Sequence, residues 1–127
     1  MSHQQTAAVR SALCRALEAR GYSVATDSAG SKGELYIQGV GDRAVALFEF
    51  KPSAEEACLT MYQGSWLPTL PPRFAVLPVS ESAAASVDFL RQAGLSVLFY
   101  EWVDGQVTFV DLEKSLREVA LRSAKPH

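Results

Sequence analysis

The chain has little of what a zinc protein, a disulfide-stapled domain or a membrane anchor requires. Its 127 residues include two cysteines and two histidines. Cys14 and Cys58 each stand alone in a helical pattern, with no Cys or His companion nearby, so they read as small reduced core residues and not as a zinc site. His3 and His127 lie at the two ends of the sequence, where no fixed catalytic geometry can be anchored. No apolar run approaches the roughly 20 residues of a membrane span, and the start MSHQQTAAVR lacks the apolar block of a secretory signal. A cytoplasmic protein is expected. Excess positive charge is missing too: 12 Lys and Arg stand against 14 Asp and Glu, for a formal charge of −2. With a pI near 5.6, bulk attraction to nucleic acid is excluded, and any such binding must come from a local patch.

What remains is an ordinary globular composition, 48% hydrophobic and 20% charged, in a chain sized for a single domain over residues 1–127. Val9, Leu13, Ala16 and Leu17 recur at spacings of three and four, which predicts a helix stopped by Gly21. YSVAT, GELYIQGV and AVALFEFK read as three strands in a meander, with DSAGSKG as the loop after the first and GDR as the turn before the third. Pro52 ends the third strand, because it has no N–H to give a ladder. Ser53 and Glu56 then have the spacing of a capping box, so a helix should start near Ala54 and run to about Leu67, before PTLPP.

FAVLP follows as a short strand, and ESAAASVDFLRQAG as a helix with its stop at Gly94. SVLFYEW and QVTFVDL are strands around an Asp-Gly hairpin signal, and DLEKSLREVALRSA closes the chain as an amphipathic helix. The order is helix, three strands, helix, strand, helix, two strands, helix. An α/β fold with a mixed central sheet flanked by helices is the expected outcome.

Alternation along AVALFEFK places Val45, Leu47, Glu49 and Lys51 on one face and Ala44, Ala46, Phe48 and Phe50 on the other. In GELYIQ the same rule groups Glu34 with Tyr36 and Gln38. If the two strands pair through GDR, Glu34 and Glu49 converge at one end with Lys51. Two carboxylates held together repel unless a cation lies between them, and an all-oxygen setting suits Mg²⁺ or Mn²⁺ with a substrate phosphate. Such a metal lowers the pKa of a bound water, and an adjacent ammonium stabilises charge building on a phosphodiester. Gln63 falls on the oily stripe of Leu59, Tyr62 and Trp66, where a buried amide must find partners.

These residues resemble the PD-(D/E)xK nuclease superfamily, whose core runs helix, three strands, helix, strand. Glu49-Phe50-Lys51 stands as the E-x-K, and Gln63 in MYQGSWL stands at the glutamine of the following helix. GYSVATDSAGSKGELYI looks like the segment of Holliday-junction-resolvase-like members in which a serine-glycine loop leads into the metal-binding acid. The resemblance covers roughly residues 4–102. It implies a restriction-endonuclease-like αβββαβ core with an extra C-terminal strand and helix, and a metal held by Glu34, Glu49 and the carbonyl of Phe50, with Lys51 beside the attacking water. Glu34 stands where the family usually has an aspartate preceded by proline.

The implied activity is metal-dependent hydrolysis of DNA or RNA, with Ser31 and Lys32 touching phosphate. A homodimer would let two sites address two strands, and membership of a larger complex is equally open. Plainer readings stand beside each of these. Glu49 and Lys51 read equally as an ion pair on a wet strand end, Glu34 as a simple strand-start carboxylate, and Gln63 as an amide bonded to strand backbone. Lys114, Arg117, Arg122 and Lys125 read as the wet side of the last helix, opposite Leu112, Leu116 and Val119; Tyr100 and Trp102 read as core or dimer contact. The alternatives to a nuclease are an inactive module of the same fold that binds a partner protein or nucleic acid, and an unrelated α/β domain with a chance E-x-K.

Overall fold

The computed structural model describes residues 3–26, 35–38, 44–61 and 71–123. Its elements follow the order expected from the sequence: α1 His3–Glu18, β1 Ser23–Thr26, β2 Leu35–Gln38, β3 Ala44–Phe50, α2 Ala54–Met61, β4 Arg73–Pro78, α3 Ala85–Gln92, β5 Ser96–Val103, β6 Gln106–Val110 and α4 Leu112–Ser123. The strands form one six-stranded sheet in simple sequence order from β1 to β6. β1, β2 and β3 pair antiparallel, β3, β4 and β5 run parallel through two helical crossovers, and β6 returns antiparallel to β5. The sheet is therefore mixed, and among the described residues no helix is long and apolar enough to cross a membrane.

Local signals explain most boundaries. At the end of α1 the Gly21 N–H donates to the Glu18 carbonyl at 3.0 Å and the Tyr22 N–H to the Leu17 carbonyl at 3.1 Å, the paired bonds of a Schellman motif. Gly21 has φ +87°, and a side chain at that position would meet nothing within 4 Å, so the requirement for glycine is conformational alone. Gly94 closes α3 by the same pair of bonds. Asp104 and Gly105 both have positive φ, 51° and 76°, and Val103 pairs with Gln106, which makes a two-residue hairpin loop of the I′ kind. The Ser53 hydroxyl accepts from the Glu56 N–H at 3.1 Å, so the Ser53 half of the expected capping box forms.

One boundary and two side-chain placements differ from the sequence reading. ESAAAS does not open α3: Val79–Glu81 makes a 3-10 turn, Ala84 is extended with ψ 137°, and the helix starts at Ala85. Glu81 is drawn away by the second difference, a cap supplied from afar, since its Oε1 accepts the Ala54 N–H of α2 at 2.8 Å. Third, Val45 packs against the core on the α1 side and does not join Leu47 and Glu49. The β2–β3 register slips between Ile37 and Gln38, and such a slip breaks the two-residue alternation.

Two apolar layers sandwich the sheet. On one face Val9, Leu13 and Leu17 of α1 and Leu112, Leu116 and Val119 of α4 bury Leu35, Ile37, Ala46, Phe48, Phe50, Phe74, Val76, Leu98 and Tyr100. Phe48 and Phe74 face each other across the β3–β4 ladder with ring centroids 4.8 Å apart and planes 20° apart. On the other face α2 and α3 cover Ala75, Leu77 and Leu95 through Ala54, Ala57, Met61, Val87 and Leu90. Tyr100 is thus core, whereas Trp102 is 44% exposed. On α4 the expected wet face holds for Lys114 and Arg117, and the half-buried Glu118 accepts a bond from the Ser96 hydroxyl at 3.1 Å. Truncating Phe48 to alanine should lower the free energy of unfolding by about 3–5 kcal/mol, read from urea melts followed by circular dichroism.

Candidate functional site

Leu47 and Glu49 lie on the sheet face opposite Phe48 and Phe50, on the side covered by α2 and α3. Glu49 is one of three buried polar residues among those described, with 10% of its side chain exposed. A carboxylate so far out of water needs a counter-charge, and it has one. Arg73, the first residue of β4, sits beside Leu47 in the parallel ladder and reaches diagonally across it. Its Nη2–H and Nε–H both donate to Glu49 Oε2, at 2.8 Å and 3.2 Å. A third donor, Nη1–H, meets the carbonyl of Met61, the last described residue of α2, at 2.6 Å; the expected run of this helix on to about Leu67 lies outside the described residues. The guanidinium, 14% exposed, therefore ties β3, β4 and α2 together. Among the described residues Glu49 Oε1 accepts no hydrogen bond.

Lys51 is not the ion-pair partner of Glu49. Its N–H extends the β3–β4 ladder to the Val76 carbonyl at 3.2 Å, so the two-residue period keeps its half-buried side chain on the Glu49 face. The ladder also orients Phe50. Leu47 and Lys51 direct their N–H groups to Pro72 and Val76, towards β4, so the alternate residues Phe48 and Phe50 turn their main-chain groups towards β2. The Phe50 carbonyl is thus presented on the side where β2 begins at Leu35, whose partner is Phe48. Of the site residues expected from the sequence, Glu49, Phe50 and Lys51 are described, as consecutive residues at the end of β3. Glu34, Gln63, Ser31 and Lys32 lie outside the described residues. Among the described residues no cluster of three or more His, Cys, Asp or Glu is placed to hold a metal.

Arg73 is the residue that sequence reasoning missed. It stands 24 positions from Glu49, behind the prolines of PTLPP, and only the parallel register makes the two neighbours. The one available signal was a lone cation opening an otherwise apolar strand.

Between α1 and the end of β1 lies a shallow cavity of about 210 Å³ lined by Arg10, Ser11, Cys14, Arg15 and Thr26. The Cys14 thiol donates to Glu18 Oε1 at 3.4 Å, and Cys58 to the Ser86 carbonyl at 3.3 Å; both are free, half-buried thiols packed against the core clusters. Burial, then the hydrogen bond and negative charge of Glu18, push the Cys14 thiol up, against a lesser downward pull from Arg15. Comparison of the chain with protein-family models, curated proteins and solved structures finds no match.

Arg73→Gln and Glu49→Gln should each cost about 3 kcal/mol of stability, since each leaves one nearly buried charge unpaired. The double substitution should cost clearly less than the sum, and a thermodynamic cycle from urea melts measures the difference. Glu18→Gln should bring the Cys14 thiol down and speed its alkylation by iodoacetamide at pH 8. Because the native thiol holds its proton more tightly than the unfolded one, its contribution to stability is intact below about pH 9 and fades as pH rises through the native value. Glu18→Gln should reduce that alkaline loss.

Proposed function

We propose that the chain is a small metal-dependent nuclease with a restriction-endonuclease-like core, hydrolysing phosphodiester bonds of DNA or RNA. The observation that carries the reading is Glu49. It is a nearly buried carboxylate near the end of β3, with Lys51 two residues on upon the same face and the Phe50 carbonyl turned towards the head of β2. The surrounding order α1, β1, β2, β3, α2, β4 matches the αβββαβ order that the sequence resemblance implies.

The donors at this end of the sheet suit a hard cation. Glu49 Oε1 is without a hydrogen bond among the described residues, and the Phe50 carbonyl adds a neutral oxygen. Glu34, Glu49 and Phe50 would hold Mg²⁺ or Mn²⁺. When bound, the ion supplies a water of lowered pKa and neutralises charge on the phosphodiester. Lys51 donates to the attacking water and orients it. Gln63 would supply an amide to the site, and Ser31 and Lys32 would meet the phosphate backbone, which would give an acidic chain its local patch.

The Arg73 bonds favour a second reading, a nuclease-fold module that binds nucleic acid or a partner protein without cutting, because Glu49 already has its counter-charge within the protein. One set of assays separates the two. Pure protein is incubated with plasmid, single-stranded DNA and RNA in Mg²⁺ or Mn²⁺, beside Glu49→Ala and Lys51→Ala. The nuclease reading expects cleavage by wild type, reduced on the order of 10²-fold or more in each variant. Cleavage that survives both substitutions comes from a contaminant and ends that reading. Salt-dependent retention of nucleic acid with no cleavage establishes the second.

A further inference from the structure

We infer that the cavity between α1 and the end of β1 is a phosphate-binding site, in which the guanidinium groups of Arg10 and Arg15 and the hydroxyls of Ser11 and Thr26 hold one phosphate dianion. The cavity lies on the α1 side of the sheet, opposite the face that carries Glu49. It is therefore separate from the candidate metal site and does not rest on the nuclease reading.

Helix and strand periodicity bring the lining together. Arg10, Ser11, Cys14 and Arg15 are related by spacings of three and four along α1, so they share one side of the helix. Val9, Leu13 and Leu17 take the buried side, which leaves this row on the flank of the helix. Thr26 ends β1, the edge strand of the sheet, and shares its α1 side with Val24 two residues before. Helix flank and strand end enclose a cavity of about 210 Å³.

Charge and size then select the ligand. On a chain with a formal charge of −2, this lining carries two cations and no acid. The acid of α1 is its last residue, Glu18, which accepts the Cys14 thiol hydrogen and does not line the cavity. Among the described residues neither Arg10 nor Arg15 has a carboxylate partner, although Arg10 is half-buried. Two guanidiniums lining one concavity repel each other, and an anion between them removes that repulsion. Their planar donors match phosphate oxygens, and serine and threonine hydroxyls are ordinary phosphate donors beside them. Two positive charges balance the charge of about −2 on a phosphate monoester better than the single charge of a carboxylate. Because burial and Glu18 hold the Cys14 thiol in its protonated form, no thiolate competes for the cations. The volume is below the roughly 300 Å³ at which pockets for drug-sized molecules begin, so it suits one compact group, either free phosphate or the terminal phosphate of a nucleic-acid strand.

Wild type is titrated with sodium phosphate at constant ionic strength, with the Arg10 and Arg15 Nε–H and the Ser11 and Thr26 amide resonances followed by NMR. Arg10→Gln/Arg15→Gln is titrated beside it, as is Arg117→Gln, which removes an exposed cation of α4. The inference expects saturable shifts at the lining residues, an affinity lowered about tenfold or more in the double variant, and no loss in Arg117→Gln. Shifts that do not saturate, or that saturate equally in the double variant, overturn it. A second readout needs no variant: phosphate at the saturating concentration should slow alkylation of Cys14 by iodoacetamide, relative to sodium chloride of equal ionic strength, and leave Cys58 on the α2–α3 face unaffected. An unchanged Cys14 rate overturns the site. Short single-stranded oligonucleotides with a 5′-phosphate and with a 5′-hydroxyl distinguish the two sources. If the 5′-phosphate alone reproduces the shifts, the ligand is a strand terminus; if inorganic phosphate saturates the site and neither strand does, it is the free anion, and either result supports the inference. No step of the test requires cleavage, so the nuclease reading stands or falls apart from it.

Discussion

A carboxylate held almost out of water on a sheet face is the constraint from which the rest of the site follows. Glu49 would be costly there alone, and the structure answers with a guanidinium from the next strand. That answer fixes several things at once. It requires β3 and β4 to be parallel and in the register that sets Leu47 beside Arg73, and it requires Met61 of α2 to lie over the start of β4. The ion pair is thus a statement about the packing of three elements as much as about charge.

The two faces of the sheet divide the labour. The α1–α4 face is almost wholly apolar, with the stacked Phe48 and Phe74 at its centre, and it supplies most of the buried hydrocarbon. The α2–α3 face is built on small residues, Ala54, Ala57 and Ala75, so that α2 comes close to the sheet. Close approach brings the Met61 carbonyl within a hydrogen bond of Arg73. The first face holds polar groups as well, since Ser96, beside Phe74, donates to Glu118 of α4; the nearly buried ion pair lies on the second.

Features governed by a few adjacent residues were legible in the sequence. The glycine stops at Gly21 and Gly94, the Asp104-Gly105 hairpin and the Ser53 cap each depend on local conformation, and each forms as read. The element order followed from them. Features governed by distant partners were not legible. Glu81 looked like a helix start because nothing nearby competes for its carboxylate; the N-terminus of α2, 27 residues back, does. Val45 looked like a neighbour of Glu49 until the register slip turned it to the other face. In the site, Glu49, Phe50 and Lys51 could be placed from alternation alone, whereas Arg73 depends on a parallel pairing that no local pattern encodes.

The two bonds made to α2 by the ends of β4 have a mechanical result. Glu81, three residues past the strand, takes the N–H of Ala54 at the start of the helix, and Arg73, at the strand's first residue, takes the carbonyl of Met61. One carboxylate and one guanidinium from a single stretch of chain thus fasten α2 to the sheet at two places, so a displacement of α2 relative to β4 has to break a hydrogen bond at one or the other.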